Sequence, residues 1–153
     1  MTHNNHRRIS THARFTRALS AVLALPVCLA AAASVAGDLT IEVSGITPDR
    51  GKVYVAVYDR PDTFPSGRQR VNQVLESRDR HLTVQFNNLP PGQYAVAAFQ
   101  DFNGNGKLDK NFLGIPKEPY GFSQEARGSM GPPPFAEAAV TLNPDGATRI
   151  VLK

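Results

Sequence analysis

The fold is decided by one stretch: His81-Leu82-Thr83-Val84-Gln85-Phe86-Asn87, then Leu89-Pro90-Pro91-Gly92, then Tyr94-Ala95-Val96-Ala97-Ala98-Phe99. Leu82, Val84 and Phe86 alternate with Thr83, Gln85 and Asn87. That period of two predicts a half-buried strand. The Pro-Pro-Gly piece reads as a turn. Tyr94 to Phe99 is apolar at consecutive positions, so it predicts a central strand covered on both faces.

The same grammar extends outward in both directions. Leu39-Thr40-Ile41-Glu42-Val43 alternates, Gly45 to Gly51 is a turn around Pro48 and Asp49, and Val53 to Tyr58 is β-branched and aromatic. Asp59 to Arg70, with two prolines and Gly67, reads as a loop, and Val71 to Ser77 as either a short strand or a helical turn. Ala138, Val140 and Leu142 alternate, Asn143-Pro144-Asp145-Gly146 is a turn, and Thr148 to Leu152 closes the chain. Short strands between turn signals predict an all-β protein, an antiparallel Ig-like or transthyretin-like β-sandwich of about seven strands. One stretch stands out. Residues 101–134 form a connection far longer than the ~12–15 residues usual for structureless loops. It contains Leu108, Phe112, Leu113, Ile115, Tyr120 and Phe122. That much apolar content predicts an ordered loop packed on the sandwich.

The first 36 residues read differently. Arg7, Arg8, Arg14 and Arg17 precede an apolar run from Ala18 to Ala33, and Ser34-Val35-Ala36 supplies small residues before a cut after Ala36. This is the layout of a cleaved signal peptide. The run is interrupted by Pro26, and it falls short of the roughly 20 residues of a membrane span. Arg7-Arg8 leaves a twin-arginine route open, and Cys28 a lipoprotein one, although Pro26-Val27 stands where a small residue would precede a lipidated cysteine. The expected organisation is a signal peptide over 1–36 and a single domain over 37–153, periplasmic or secreted, with no transmembrane span in the mature form.

Charge follows that division. The whole chain has 17 Lys+Arg against 13 Asp+Glu. The leader holds four of the arginines and no acid, leaving 13 against 13 in residues 37–153. A neutral mature domain argues against nucleic acid as a partner, which wants a basic stripe. The mature part has no cysteine, so core burial, helped by any metal, has to hold it together.

One segment carries a metal pattern. Asp101-Phe102-Asn103-Gly104-Asn105-Gly106-Lys107-Leu108-Asp109 follows an EF-hand loop through position 9: Asp101, Asn103 and Asn105 at 1, 3 and 5, Gly106 at the sharp turn, the Lys107 carbonyl at 7, and Asp109 at 9. Calcium takes 6–8 oxygens, and such a loop converges them. Position 12 is Phe112 instead of the bidentate Glu, and no helices flank the loop. Glu118 is the residue that would replace the missing carboxylate. The expected cofactor is Ca2+ at ~10⁻⁴ to 10⁻³ M. The competing reading is a plain turn built on Asn103-Gly104 and Asn105-Gly106.

Catalytic material is sparse. His81 is the one mature histidine, which leaves zinc without ligands and Ser123 without a base. A carboxylate hydrolase would need Asp101, Asp109 or Glu118 paired across an open groove. A carbohydrate or cell-surface ligand is a further alternative, if Tyr54, Tyr58, Tyr94 and Tyr120 formed an exposed row; core packing is the competing reading of the tyrosines.

The run Leu89 to Asp109, with Gly114-Ile115-Pro116-Lys117-Glu118 and Tyr120-Gly121-Phe122-Ser123, resembles a bacterial family of unknown function, DUF2141. The resemblance extends over about 38–153 and implies an exported β domain without established activity. The family pattern has glycine after the glutamate, where this chain has Pro119. The Leu89 to Tyr94 piece is also similar to transthyretin-like and carboxypeptidase-regulatory-like sandwiches. The expectation is an exported, non-enzymatic β-sandwich module with a calcium loop.

Overall fold

The computed structural model describes Met1 and residues 35–153. The leader expected over 1–36 lies almost entirely outside the described residues. The unit from Ala33 to Lys153 is compact and contains eight strands: β1 (Gly37–Ser44), β2 (Lys52–Tyr58), β3 (Val71–Glu76), β4 (His81–Leu89), β5 (Gly92–Asp101), β6 (Tyr120–Phe122), β7 (Val140–Leu142) and β8 (Gly146–Val151). A 3₁₀ turn spans Ser123–Glu125, and a four-residue helix, α1, spans Phe135–Ala138.

The strands form two sheets, one ordered β4-β1-β8 and the other β3-β2-β5-β6, with β7 also paired to β5. The proline turn at 90–91 carries the chain from β4 in the first sheet to β5 in the second. All pairings are antiparallel except β1 with β8, which run parallel from Leu39↔Gly146 to Ser44↔Val151. Parallel neighbours need a long connection between them, and here nearly the whole domain separates the two strands. The ambiguous segment 71–77 is a strand, β3, at the edge of its sheet. The eighth strand, β6, lies inside the stretch read as irregular, which is why the sequence suggested about seven.

The core fills the space between the sheets with Leu39, Ile41, Val43, Val53, Val55, Val57, Val84, Phe86, Val96 and Ile150, all buried. Burying each such side chain is worth ~1.5–3 kcal/mol. β2 and β5 are apolar on both faces because the outer face of their sheet is also covered. Tyr58, Ala95, Phe122, Phe135 and Ala138 form a second cluster there. Phe64 from the loop after β2 docks edge-on against Tyr58, Phe122 and Phe135, with ring centroids 5.4, 5.6 and 6.0 Å apart.

Ser123 closes a gap in this sheet. β7 pairs with β5 at Gly92–Tyr94 and β6 at Ala97–Phe99. Between them, the Val96 N–H donates to Ser123 Oγ at 2.8 Å, and the Ser123 hydroxyl reaches the Ala138 carbonyl. The side chain stands in for a missing ladder partner. Gly121 beside it packs against β8, where a Cβ would lie 2.7 Å from both Ile150 Cγ2 and the Val151 carbonyl oxygen.

The expectation that 101–134 packs its apolar residues on the sandwich needs correction. Tyr120 and Phe122 do so through β6. Phe112, Leu113 and Ile115 do not: they are 95 %, 67 % and 56 % exposed. Residues 102–119 leave the sheet as a projecting finger between β5 and β6.

Candidate metal centre

The base of the finger is built before the finger begins. Gln100, fully buried, accepts the Thr47 N–H at 2.9 Å and donates to the Thr47 and Arg50 carbonyls at 2.7 and 2.6 Å. It thereby fixes the β1–β2 turn. Gly51, at φ +65°, then lies so close that a Cβ would sit 1.8 Å from the Asp101 carbonyl oxygen. Only glycine fits both constraints. The Arg50 guanidinium stacks over the Phe102 ring, 3.8 Å from its centroid.

From this base Asp101 organises the loop. Its side chain is fully buried. Oδ1 accepts the N–H groups of Asn103 and Gly104 at 3.2 and 2.8 Å, and Oδ2 that of Gly106 at 2.7 Å. Converging backbone N–H groups on one carboxylate compensate its burial. Gly104 and Gly106 take φ of +76° and +75°, which is how the loop curls tightly enough to present them.

Glu118 closes the loop from the other side. It is 6 % exposed; Oε1 accepts the Phe102 N–H at 2.8 Å and Oε2 the Asp109 N–H at 2.9 Å. The Lys117 N–H adds a bond to the Asp109 carbonyl at 2.8 Å. Pro119 does not disturb the turn, because its carbonyl accepts the Gln100 N–H at 2.9 Å and needs no N–H of its own.

The remaining side chains meet over the rim. Asn103 Nδ2 donates to Asp109 Oδ2 at 2.7 Å, and Asn105 Nδ2 to Asp109 Oδ1 at 3.0 Å. Asn103 Oδ1 accepts the Asn105 N–H at 3.1 Å and Asn105 Oδ1 the Lys107 N–H at 2.8 Å. Lys107 itself is exposed.

The structure therefore brings Asp101, Asn103, Asn105, Asp109 and Glu118 into one loop, each at a defined place. Asp101 and Glu118 hold backbone, while Asp109 with the two asparagine amides forms the outward-facing polar group. Phe112 turns away into solvent, and Glu118 replaces it at the loop. Among the described residues, no three acidic, histidine or cysteine side chains cluster as a metal-holding group. The oxygens on offer are a mixture of carboxylate, amide and backbone, the hard-donor chemistry of calcium or magnesium.

The other sequence candidates take structural places. His81 is exposed at the start of β4, and Ser123 is buried as a ladder substitute. Tyr58 and Tyr94 are buried, and Tyr54 stacks on Phe99 at 4.9 Å, so these tyrosines form no exposed row. Sequence reasoning missed Gln100 and Gly51. A glutamine inside an otherwise apolar strand, directly before Asp101, was the available signal.

A family model described as "uncharacterized protein conserved in bacteria (DUF2141)" matches residues 41–150. Comparison with curated proteins and with solved structures gave no match.

Proposed function

The chain belongs to DUF2141, a family conserved in bacteria whose model spans residues 41–150, and from that premise we propose that it is an exported, non-enzymatic β-sandwich module whose 101–118 loop binds calcium. Residues 1–36 direct it to the periplasm or beyond and are then removed. The loop does the binding with side-chain oxygens of Asp101, Asn103, Asn105, Asp109 and Glu118 and the Lys107 carbonyl.

One observation supports this most strongly: two asparagine amides from alternate positions point at the two oxygens of one carboxylate. An amide nitrogen and oxygen exchange places on a half-turn about χ2. That half-turn gives up the bonds these oxygens accept from the Asn105 and Lys107 N–H groups, and in exchange would aim them at the point Asp109 faces, where a divalent cation would then be held. The backbone is already curled around that point by Asp101 and Glu118, so little ordering entropy remains to be lost on binding. With few formal charges in the set, the affinity expected is ~10⁻⁴ to 10⁻³ M.

The same geometry weighs against a carboxylate hydrolase. Asp101 is buried under three backbone N–H groups and Glu118 under two, and neither faces an open groove. The test is calcium titration followed by amide NMR. Resonances of 101–109 and 118 shift while those of β1, β2 and β8 stay; no shift at 101–109 in ~10 mM calcium, well above the expected affinity range, contradicts the proposal.

A further inference from the structure

The finger between β5 and β6 ends in a tip that the metal loop does not use. Residues 109–117 form a small hairpin. The Lys117 N–H donates to the Asp109 carbonyl, Lys110 bridges Pro116, and the Asn111 N–H donates to the Ile115 carbonyl at 2.8 Å. The Gly114 N–H closes the turn on the Asn111 carbonyl at 2.9 Å, with Gly114 at φ +81°. Asn111 Oδ1 also accepts the Leu113 and Ile115 N–H groups, both at 2.9 Å. The tip is thus a bonded turn, in which the N–H groups of Asn111, Leu113, Gly114, Ile115 and Lys117 are paired within the hairpin.

Its two central residues are Phe112 and Leu113. Turn centres normally carry glycine, asparagine, aspartate or proline. Here they carry two large apolar side chains, and Ile115 follows. Seven large apolar residues are exposed among the described ones, and three of them lie within these four positions. A clustered exposed apolar patch marks an interaction site. Scattered surface residues would not group this way.

The surroundings state the partner's charge. Lys107, Lys110 and Lys117 are exposed, and none forms an ion pair with a described residue. The finger, residues 102–119, holds these three lysines against two carboxylates, Asp109 and the buried Glu118, although residues 37–153 are neutral as a whole. Three apolar side chains at the apex with a collar of cations behind them complement an anionic lipid surface. The apolar groups enter the headgroup–acyl boundary to a depth of ~5–10 Å, and the lysines meet the headgroups. A protein partner fits less well, because three tip side chains fall far short of the ~1,000 Å² that a stable interface needs.

We infer that the hairpin 109–117 docks this domain on anionic membrane surfaces, with Phe112, Leu113 and Ile115 inserted and Lys110 and Lys117 on the headgroups. The five side chains assigned to the membrane, Lys110, Phe112, Leu113, Ile115 and Lys117, are not calcium ligands, and the site is tested in EDTA so that cation bridging plays no part. The chain from Val35 onward is used: it holds all eight strands and lies within the compact unit, and it lacks the basic, apolar leader that would bind vesicles on its own. Co-sedimentation is measured with phosphatidylcholine vesicles, with and without phosphatidylglycerol.

Binding is expected only with phosphatidylglycerol, weak and reversible as a single small anchor implies. The triple variant Phe112→Ser, Leu113→Ser, Ile115→Ser loses it by at least ~tenfold, and Lys110→Gln and Lys117→Gln each weaken it by roughly fivefold. Thermal midpoints of all variants match the parent, because the altered side chains are exposed. Equal binding to both vesicle types, no binding to either, or full binding by the triple variant would each overturn the inference. So would self-association that the triple variant abolishes, which would make a second copy the occupant.

Discussion

Glu118 takes the backbone N–H of Phe102 on Oε1 at 2.8 Å, across 16 residues of chain, while its other oxygen holds the Asp109 N–H. One side chain thus joins the start of the loop, its end and the return to β6. Replacing it by glutamine converts one acceptor into a donor facing an N–H. Glu118→Gln should cost ~2–3 kcal/mol, read by urea unfolding. Hydrogen exchange should show the Phe102 and Asp109 amides losing protection while Val55 and Val96 keep theirs. Unchanged protection at 102 and 109 would mean that the clamp does not hold the loop.

Asp101 should be less replaceable still. Asp101→Ala strands the N–H groups of Asn103, Gly104 and Gly106 at once, for an expected loss of ~3–5 kcal/mol. Asp109→Ala, whose partners are two exposed amides, should cost under ~1 kcal/mol. The difference between the two midpoints in urea separates the residue that folds the loop from the one that faces outward.

Gly51→Ala tests the packing under the loop. A Cβ there meets the Asp101 carbonyl oxygen at 1.8 Å with φ at +65°. The expected loss is ~3 kcal/mol or more. A variant as stable as the parent would show that the β1–β2 turn and the loop are not in contact.

Ser123→Ala removes the partner of the Val96 N–H and a donor to the Ala138 carbonyl, both buried. The domain should lose ~2–4 kcal/mol with no change in its response to calcium. A stable variant would contradict the structural role given to this serine.

Tyr58 and Tyr94 should titrate late. Burial pushes the Tyr58 hydroxyl, which donates to the Pro65 carbonyl, above its ordinary value, against a smaller opposing contribution from the Gln69 side chain. Burial likewise raises Tyr94. Because the folded values lie above the unfolded ones, this contribution to stability is complete below pH ~10 and is lost as pH rises through the folded values. Ultraviolet titration should show tyrosine ionisation extending well above pH ~10; completion of the whole absorbance change near pH ~10 would contradict the burial of both rings.

Much of the sandwich was legible because its strands obey local rules. The alternation at Leu82, Val84 and Phe86 and the two-faced apolar runs at 53–58 and 94–99 report burial directly. The parallel β1–β8 pair was not legible, since pairing direction depends on which sheet the last strand joins. Nor was β6, because three residues, Tyr120 to Phe122, are too short for periodicity. In the loop, residue type and spacing marked Asp101, Asn103, Asn105 and Asp109. They did not show that Asp101 holds backbone while Asp109 faces outward, because that distinction comes from hydrogen-bond geometry. Glu118 reaches the loop only because the hairpin 109–117 folds back, which no pattern in residues 101–109 states. The apolar content of 112–115 suggested packing, and the turn at Asn111 instead carries those side chains outward.

The most direct measurement is thermal unfolding of the chain from Val35 onward in millimolar calcium, in magnesium and in EDTA. Calcium at ~1 mM with a dissociation constant of ~0.1 mM stabilises by about 1.4 kcal/mol, which for a domain of this size raises the midpoint by roughly 4–6 °C. The account predicts that rise in calcium alone, and its loss in Asp109→Ala, which unfolds like the parent in EDTA. Identical midpoints in all three solutions would contradict it and leave residues 101–109 a hydrogen-bonded turn.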